Sequence, residues 1–435
     1  MKIIKRVTLL LIMSLAINII VSVSFIPGTE VLKINTVYAA EENGNKDTNA
    51  KSNFNSNYDN KSEENKQVTE NTDDNIGQLD GSAKEEIYKL YDYISKMKSD
   101  EELMDNLDPA EYIKTYIKEG KGNLSLDTLL KAVLSITFKE VKSVLALIIS
   151  IVTIAIICSL LKNLQEAFSS ESISQIAFYA CYSLIIVLLS KSFIISISVA
   201  KDVISDVSNF MNALLPVLIT MISLAGGISQ AATLDPIVLG AVVFIPKIYS
   251  NVIIPMILMG FVLEFANNIS TEHKITNLCK LFKQVIVWFQ GILVTIFIGL
   301  LTIRGITSTT IDAVTLKTAK FAVDNFIPIV GKAFSDAIAS VAGYSLIIKN
   351  AISSIGLVVI ILILLHPLIK LILITFIYKL SAALIEPISD SRITKSIEAA
   401  GSSMVLIISC VLTVTLVFFV LISIMASSGR FIVGG

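Results

Sequence analysis

Residues 346–388 read LIIKNAISSIGLVVIILILLHPLIKLILITFIYKLSAALIEPI. Apart from His366, the only ionisable side chains in this block are Lys349, Lys370, Tyr378, Lys379 and Glu386. A helix needs about 20 consecutive apolar residues to cross the hydrocarbon core of a bilayer. The block is therefore membrane-embedded and too long for a single crossing. His366-Pro367 stands near its middle, and proline removes a helical hydrogen bond. The expectation is two spans folded into a tight hairpin at that dipeptide.

On either side of this block, further spans are predicted at 143–161, 175–199, 210–228, 285–303 and 403–426. Lys191 interrupts the second. Its penalty of about 3 kcal/mol is outweighed by many Leu, Ile, Val and Phe residues at about −0.3 to −0.6 kcal/mol each. Region 236–266 is ambiguous: Pro236, Pro246 and Pro255 break it, and Lys247, Tyr249 and Asn251 lie in its middle. It reads either as one kinked span or as two short segments bent back into the membrane. Lys274, Lys280 and Lys283 mark the loop after it as cytoplasmic. With an exported N-terminus and the spans counted above, that placement favours the broken pair.

Composition agrees with a chain that solvates its apolar surface in lipid. It is 54% hydrophobic and 16% charged, against roughly 25% charged in soluble domains, and its mean hydropathy is +0.74. The fold class is all-α, a polytopic transmembrane helical protein. The formal net charge is −1, and no basic tract interleaved with aromatics supports nucleic-acid binding. Cys158, Cys181, Cys279 and Cys410 form no CxxC pair, which argues against a disulfide framework or a zinc site.

Lys2, Lys5 and Arg6 precede an apolar run from Val7 to Ile26, and Val37-Tyr38-Ala39 before Ala40 fits small-residue cleavage. Residues 1–39 are thus a signal peptide cut between Ala39 and Ala40, or an uncleaved signal-anchor. Both readings place the residues after Ala40 outside the cytoplasm. Residues 40–80 are polar and low in apolar residues, and so predict a disordered extracytoplasmic tether. A small helical unit, 81–142, comes next. Ile87, Leu90, Tyr91, Ile94 and Met97 recur at helical spacing. Asp108-Pro109-Ala110-Glu111 opens a second helix faced by Tyr112, Ile113, Tyr116 and Ile117, and Gly120 stops it. A third, from Leu126 to Lys142, presents Lys131, Lys139 and Lys142 to lipid head groups. The unit reads equally as a docking module or a spacer.

The membrane domain, 143–430, shows a weak internal periodicity. A shift of 112 positions lays Pro216 on Pro328, Pro255 on Pro367, and Leu214-Leu215-Pro216-Val217 on Phe326-Ile327-Pro328-Ile329. Duplication of 175–280 as 287–397 competes with coincidence, since ungapped identity is low. Interrupted segments at matching places in two halves point to a transport site. Here those segments are 210–228, with Pro216, Ser223, Gly226 and Gly227, and 322–343, with Pro328, Gly331, Lys332, Ser335 and Asp336. Together with Pro255, these residues are the candidate passage-lining or hinge positions. Lys332 and Asp336 share a helical face and partly neutralise each other. A surface-lying amphipathic helix is the alternative for 322–343.

Signatures of soluble catalysis are missing. The two histidines, His273 and His366, are too far apart for an HExxH site, and neither a GxSxG elbow nor a phosphate loop occurs. No enzyme activity, cofactor or metal is expected. Glu264, Lys370 and Lys379 read as snorkelling groups near span ends.

Several stretches carry a family resemblance: Val294–Gly305 (VTIFIGLLTIRG), Thr315–Asp336 (TLKTAKFAVDNFIPIVGKAFSD), Phe376–Ile388 (FIYKLSAALIEPI), Leu214–Ile219 and the Val-Tyr-Ala-Ala end of the signal. Through most of 140–430 the chain resembles the stage III sporulation protein AE family of endospore-forming bacteria. The resemblance implies a place in a mother-cell assembly of A-operon membrane proteins with a cytoplasmic ATPase. That assembly joins the forespore membrane partner, protein Q, across the intermembrane space. It implies a secretion or feeding channel needed for engulfed-forespore integrity and for late forespore transcription under sigma factor G. Family members are similar to transporter permeases, and no catalytic residues carry over. A permease-like or pore-forming subunit is the expected role. A membrane scaffold and a self-sufficient secondary transporter are its rivals.

Overall fold

The computed structural model describes residues 81–98, 109–119, 126–168, 171–269, 274–326 and 331–428. The signal sequence with Ala39 and Ala40, the predicted tether and Pro328 lie outside the described residues. Helices occur in the order α1 (Gly81–Lys98), α2 (Pro109–Glu119), α3 (Leu126–Phe168), α4 (Glu171–Leu224) and α5 (Ile228–Ile248). A five-residue π turn (Tyr249–Ile253) leads into α6 (Ile254–Ile269), then α7 (Thr276–Phe326), α8 (Gly331–Ile385) and α9 (Ser391–Ser427). No strand occurs among the described residues, and six helical stretches are long and apolar enough to cross a membrane. The protein is an all-α integral membrane protein.

The six run alternately up and down. At one end, Ser159 of α3 donates to the Ile388 carbonyl beside the start of α9 (2.5 Å). Near the same end, Tyr182 of α4 reaches Phe265 of α6 and Ser396 of α9. Lys274, Lys280, Lys283, Lys379, Arg392 and Lys395 make this the basic end of the bundle. The other, far end holds the turn between α4 and α5 and the C-terminus of α9. Helix α9 is the central column: two-thirds (67%) of its most apolar window is buried, more than in any of the other five spans.

Three expectations change. The block 346–388 is no hairpin, because α8 runs unbroken from Gly331 to Ile385 with Pro367 inside it. A reverse turn at membrane depth would strand many backbone groups in lipid, whereas proline in a continuous helix frees only about one carbonyl. His366 accordingly sits mid-helix, 3.3 Å from Glu140 of α3. Likewise 175–199 and 210–224 are parts of one 54-residue helix, α4, which contains Pro216, and the predicted span 210–228 runs past its end into the next turn. Region 236–266 is one continuous helical path rather than two segments bent back. Its π turn directly precedes Pro255, where a widened turn accommodates the missing N–H. These corrections cancel in parity: one span fewer before Gly227 and one fewer after it leave the Lys274 loop on the same side.

As for the periodicity, each proposed repeat contains a long helical hairpin. However, the shift of 112 that matches the prolines carries the turn at 225–227 onto 337–339, inside α8.

Length is the second feature of this fold. At 1.5 Å per residue α4 is about 81 Å long and α8 about 83 Å, against a hydrocarbon core of about 30 Å. The exposed face of α4 changes character along its length. Ile176, Tyr179, Leu184, Val187, Ile194 and Ile195 are exposed and apolar, with Ser183 and Lys191 exposed among them, whereas beyond them Ser198, Asp202, Ser205, Asp206, Asn209, Asn212 and Pro216 are exposed. The first stretch spans about 29 Å. The rest of α4 packs against the apolar middle of α8.

Helix α1 docks on this part of α4, and α2 docks on α8 beside it. Ile87, Leu90 and Ile94 of α1 are at most 1% exposed, and the ring of Tyr93 lies 6.4 Å from that of Phe210 on α4. Tyr112 of α2 shares a 3.0 Å hydrogen bond with Ser354 of α8. The opposite face of α1 is solvated. There Lys89 pairs with Glu85 at 2.9 Å and holds that carboxyl below its usual range by a hydrogen bond and by its charge. Leu90→Ala is expected to weaken docking by about 2–5 kcal/mol. The readout is faster tryptic cleavage at Lys84, Lys89 and Lys96, and wild-type cleavage rates would show that α1 is not held by this contact.

Candidate functional site

Of the predicted lining residues, Pro216 and Pro255 are exposed on the surface of the bundle, and Ser223 is half-buried. Gly226 and Gly227 form a turn rather than a weakened span. Gly226 has φ of 88°, its N–H donates to Ser223, and the Gly227 N–H donates to Ile222 (2.9 Å). This is a Schellman closure, which requires a left-handed residue. A Cβ on Gly227 would meet Ile222 Cγ2 at 2.8 Å. Around Pro216, the side chains of Phe210, Leu214, Val217, Leu218 and Met221 are fully buried, so 210–222 is packed core.

Gly331 is the first residue of α8. Lys332, Ser335 and Asp336 lie in its first turns, and their side chains are outside the described residues. A Cβ on Gly356 of α8 would touch Leu214 of α4, which fixes the register of these antiparallel helices. Ser223 therefore stands level with about Ile347, roughly 18 Å along α8 from Ser335.

A line of buried polar groups lies elsewhere, along the face of α9 that meets α4, the π turn, α6 and α7. Starting at the basic end, Asp390 caps α9 by accepting from the Arg392 N–H (2.9 Å), and the Arg392 guanidinium lies 3.7 Å over the Phe178 ring. The next contact joins the Ser396 hydroxyl to Tyr182 at 2.7 Å. One heptad on, Ser403 donates to Glu264 of α6 at 3.5 Å, and Lys283 of α7 forms an ion pair with the same carboxylate. The side chains of this pair are 15% and 11% exposed, too little for snorkelling groups, so that expectation for Glu264 is revised. Another heptad on, Gln290 of α7 accepts from Ser409 (3.1 Å) and donates to the sulfur of Cys410 (3.3 Å). Last comes Tyr249 on the π turn. It is fully buried, and its hydroxyl faces Thr413.

From Ser396 to Thr413 this seam runs about 26 Å along α9, comparable to the hydrocarbon core. Polar side chains at such depth face a protein interior or water, and π turns recur at functional sites. Chemically the seam offers hydroxyls and an amide that both donate and accept, one charge-compensated carboxylate, and one buried hydroxyl with spare capacity. Two sequence signals foreshadow it: the seven-residue spacing of Ser396, Ser403 and Cys410, and Gln290 inside an otherwise apolar span. A separate buried group, Lys349 of α8, donates to the carbonyls of Ala426 (2.9 Å) and Ser428 at the end of α9.

Comparison with known proteins gives a coherent result. The family model described as stage III sporulation protein AE matches residues 107–429. Stage III sporulation protein AE of Bacillus subtilis (strain 168) is 30% identical over 311 residues, covering 72% of this chain and 78% of that protein. No solved structure matches.

Proposed function

Because the chain belongs to the stage III sporulation protein AE family, we propose that it is the permease-like membrane subunit of an apparatus linking mother cell and forespore. The observation that carries this reading is the polar seam, which runs at membrane depth through the helix bundle. In this reading the basic end faces the mother-cell cytoplasm, where the apparatus's ATPase is available. The far half, with α1 and α2, stands in the intermembrane space and meets the other A-operon membrane proteins and forespore protein Q. Protease outside intact protoplasts is then expected to remove an epitope placed near Asn60. Survival of that epitope until permeabilisation overturns the orientation.

The role itself is tested by tracer flux. Vesicles holding this chain with its A-operon partners are expected to pass a small tracer, and omitting this chain abolishes the flux. The docking of α1 on α4 and of α2 on α8 favours a second reading, a membrane scaffold. Unchanged flux when this chain is replaced by a variant blocked within the bundle supports the scaffold and overturns the permease role.

A further inference from the structure

We propose that a second copy of this chain docks on the polar face of α4, forming a parallel pair about a two-fold axis along the bundle. The face consists of Ser198, Asp202, Ser205, Asn209, Asn212 and Pro216, all exposed. They recur at alternating spacings of four and three residues, the pattern of a left-handed helix pair. Between them, Val203, Ile204, Val207, Phe210, Met211 and Leu214 are at most 2% exposed. One side of α4 thus belongs to its own bundle, and the other carries a polar stripe about 27 Å long.

The stripe is polar where its surroundings are not. On one flank Ser208 donates to the Val242 carbonyl of α5 at 3.1 Å, which sets the register of these antiparallel helices. At the height of Asp206 to Met211, α5 therefore exposes Leu239, Val243 and Phe244. Below the stripe, Leu214 packs on Gly356 in the apolar middle of α8. A polar face in such surroundings meets protein or water. The other flank is bounded by α1, whose Tyr93 lies beside Asp206 and Phe210.

The chemistry of the stripe selects its own copy. A two-fold contact sets each residue near the axis opposite its counterpart. Serine hydroxyls and asparagine amides both donate and accept, so they pair with themselves, and asparagine hydrogen-bonds across membrane helices. Within one chain the contacts of the stripe are long, 3.4 Å from Ser198 to Asp202 and 3.5 Å from Asn209 to Ser205. In heptad terms Asp202 and Asn209 hold position a, and Ser205 and Asn212 position d. Lys201 then holds position g and Asp206 position e, the two flanks that meet as an ion pair across a parallel pair. Asp202 is the mismatch, because the axis brings two like charges together.

The test uses the full-length protein in vesicles of phosphatidylethanolamine and phosphatidylglycerol, with its native cysteines, all of them buried. Ser205→Cys, Asn209→Cys and Asn212→Cys are oxidised one at a time with copper phenanthroline. Each is expected to give a disulfide-linked dimer. Wild type and Ile292→Cys, on the exposed face of α7, are expected to stay monomeric. Energy transfer between differently labelled copies, diluted stepwise in lipid, measures the association. Asn209→Ala combined with Asn212→Ala is expected to weaken it by about tenfold, roughly threefold for each amide pair. Asp202→Asn is expected to tighten it. Lys201→Glu weakens it, and adding Asp206→Lys restores it, an outcome that a merely local effect on α4 would not produce.

Three results overturn the pair: equal cross-linking of Ile292→Cys and the stripe positions, no energy transfer at any lipid ratio, or no restoration on charge reversal. A monomeric protein whose stripe cysteines react with a charged, impermeant thiol reagent also overturns it, because the face is then lined by water. The inference does not depend on the proposed apparatus. No flux is measured, so these outcomes leave the permease reading to its own test.

Discussion

Lys349→Ala is expected to loosen the far end of the central column by about 3–5 kcal/mol. The side chain is fully buried, and its amino group donates to two carbonyls left open where α9 ends. Bonds from a cationic group are worth about 1.5–3 kcal/mol each, and a cation at a helix C-terminus also gains from the dipole. Alanine removes both bonds, leaves a void between α8 and α9, and exposes the two carbonyls to an apolar surround. Lys349→Met refills most of the volume and is expected to recover part of the loss. Unfolding of the detergent-purified protein, together with proteolysis of the C-terminal tail, provides the measurement. Equal stability of wild type and Lys349→Ala would show that the end of α9 is held by packing alone.

The second large effect concerns the ion pair. Lys283→Met removes the cation beside Glu264 and leaves its carboxylate the Ser403 hydroxyl, at 3.5 Å, in a site 15% exposed. Breaking a buried pair from one side costs about 3–5 kcal/mol, whereas replacing both members by neutral groups of similar volume is often neutral. The double variant Glu264→Gln, Lys283→Met is therefore expected to recover most of the stability lost by Lys283→Met. A double-mutant cycle on unfolding free energies measures the coupling. Additive single losses would place the two charges outside one another's field and contradict the geometry.

The sequence was most legible where a signal acts locally and in water. The start of α2 at Pro109 is readable because a helix opening has its own chemistry at that position. The buried face of α1 comes from Ile87, Leu90 and Ile94 at helical spacing. Legibility fails where lipid changes the penalty for breaking a helix. In water, Pro216 or Pro367 marks an end because solvent satisfies the freed groups. In the bundle, bending or widening a helix costs less than ending it, so 210–224 and 346–385 belong to longer helices. The seam escaped for another reason. Ser396, Glu264, Lys283, Gln290 and Tyr249 lie far apart in the chain, and only the packing of four elements against α9 brings them into one line. The predicted lining at 210–228 rested on Pro216, Ser223, Gly226 and Gly227; Pro216 lies inside α4, and Gly226 and Gly227 serve the return of the chain.

The length of α4 has a mechanical side. From Ile186 to Leu224 the helix extends about 57 Å, with one break in its hydrogen-bond ladder where Pro216 lacks an N–H. A rotation of about 5° about Ile186 would swing that tip by about 5 Å, close to one helical pitch. Pro216 divides the arm, so a tilt is shared between a bend at the proline and a sweep of the tip against α8 and α1, which pack along it.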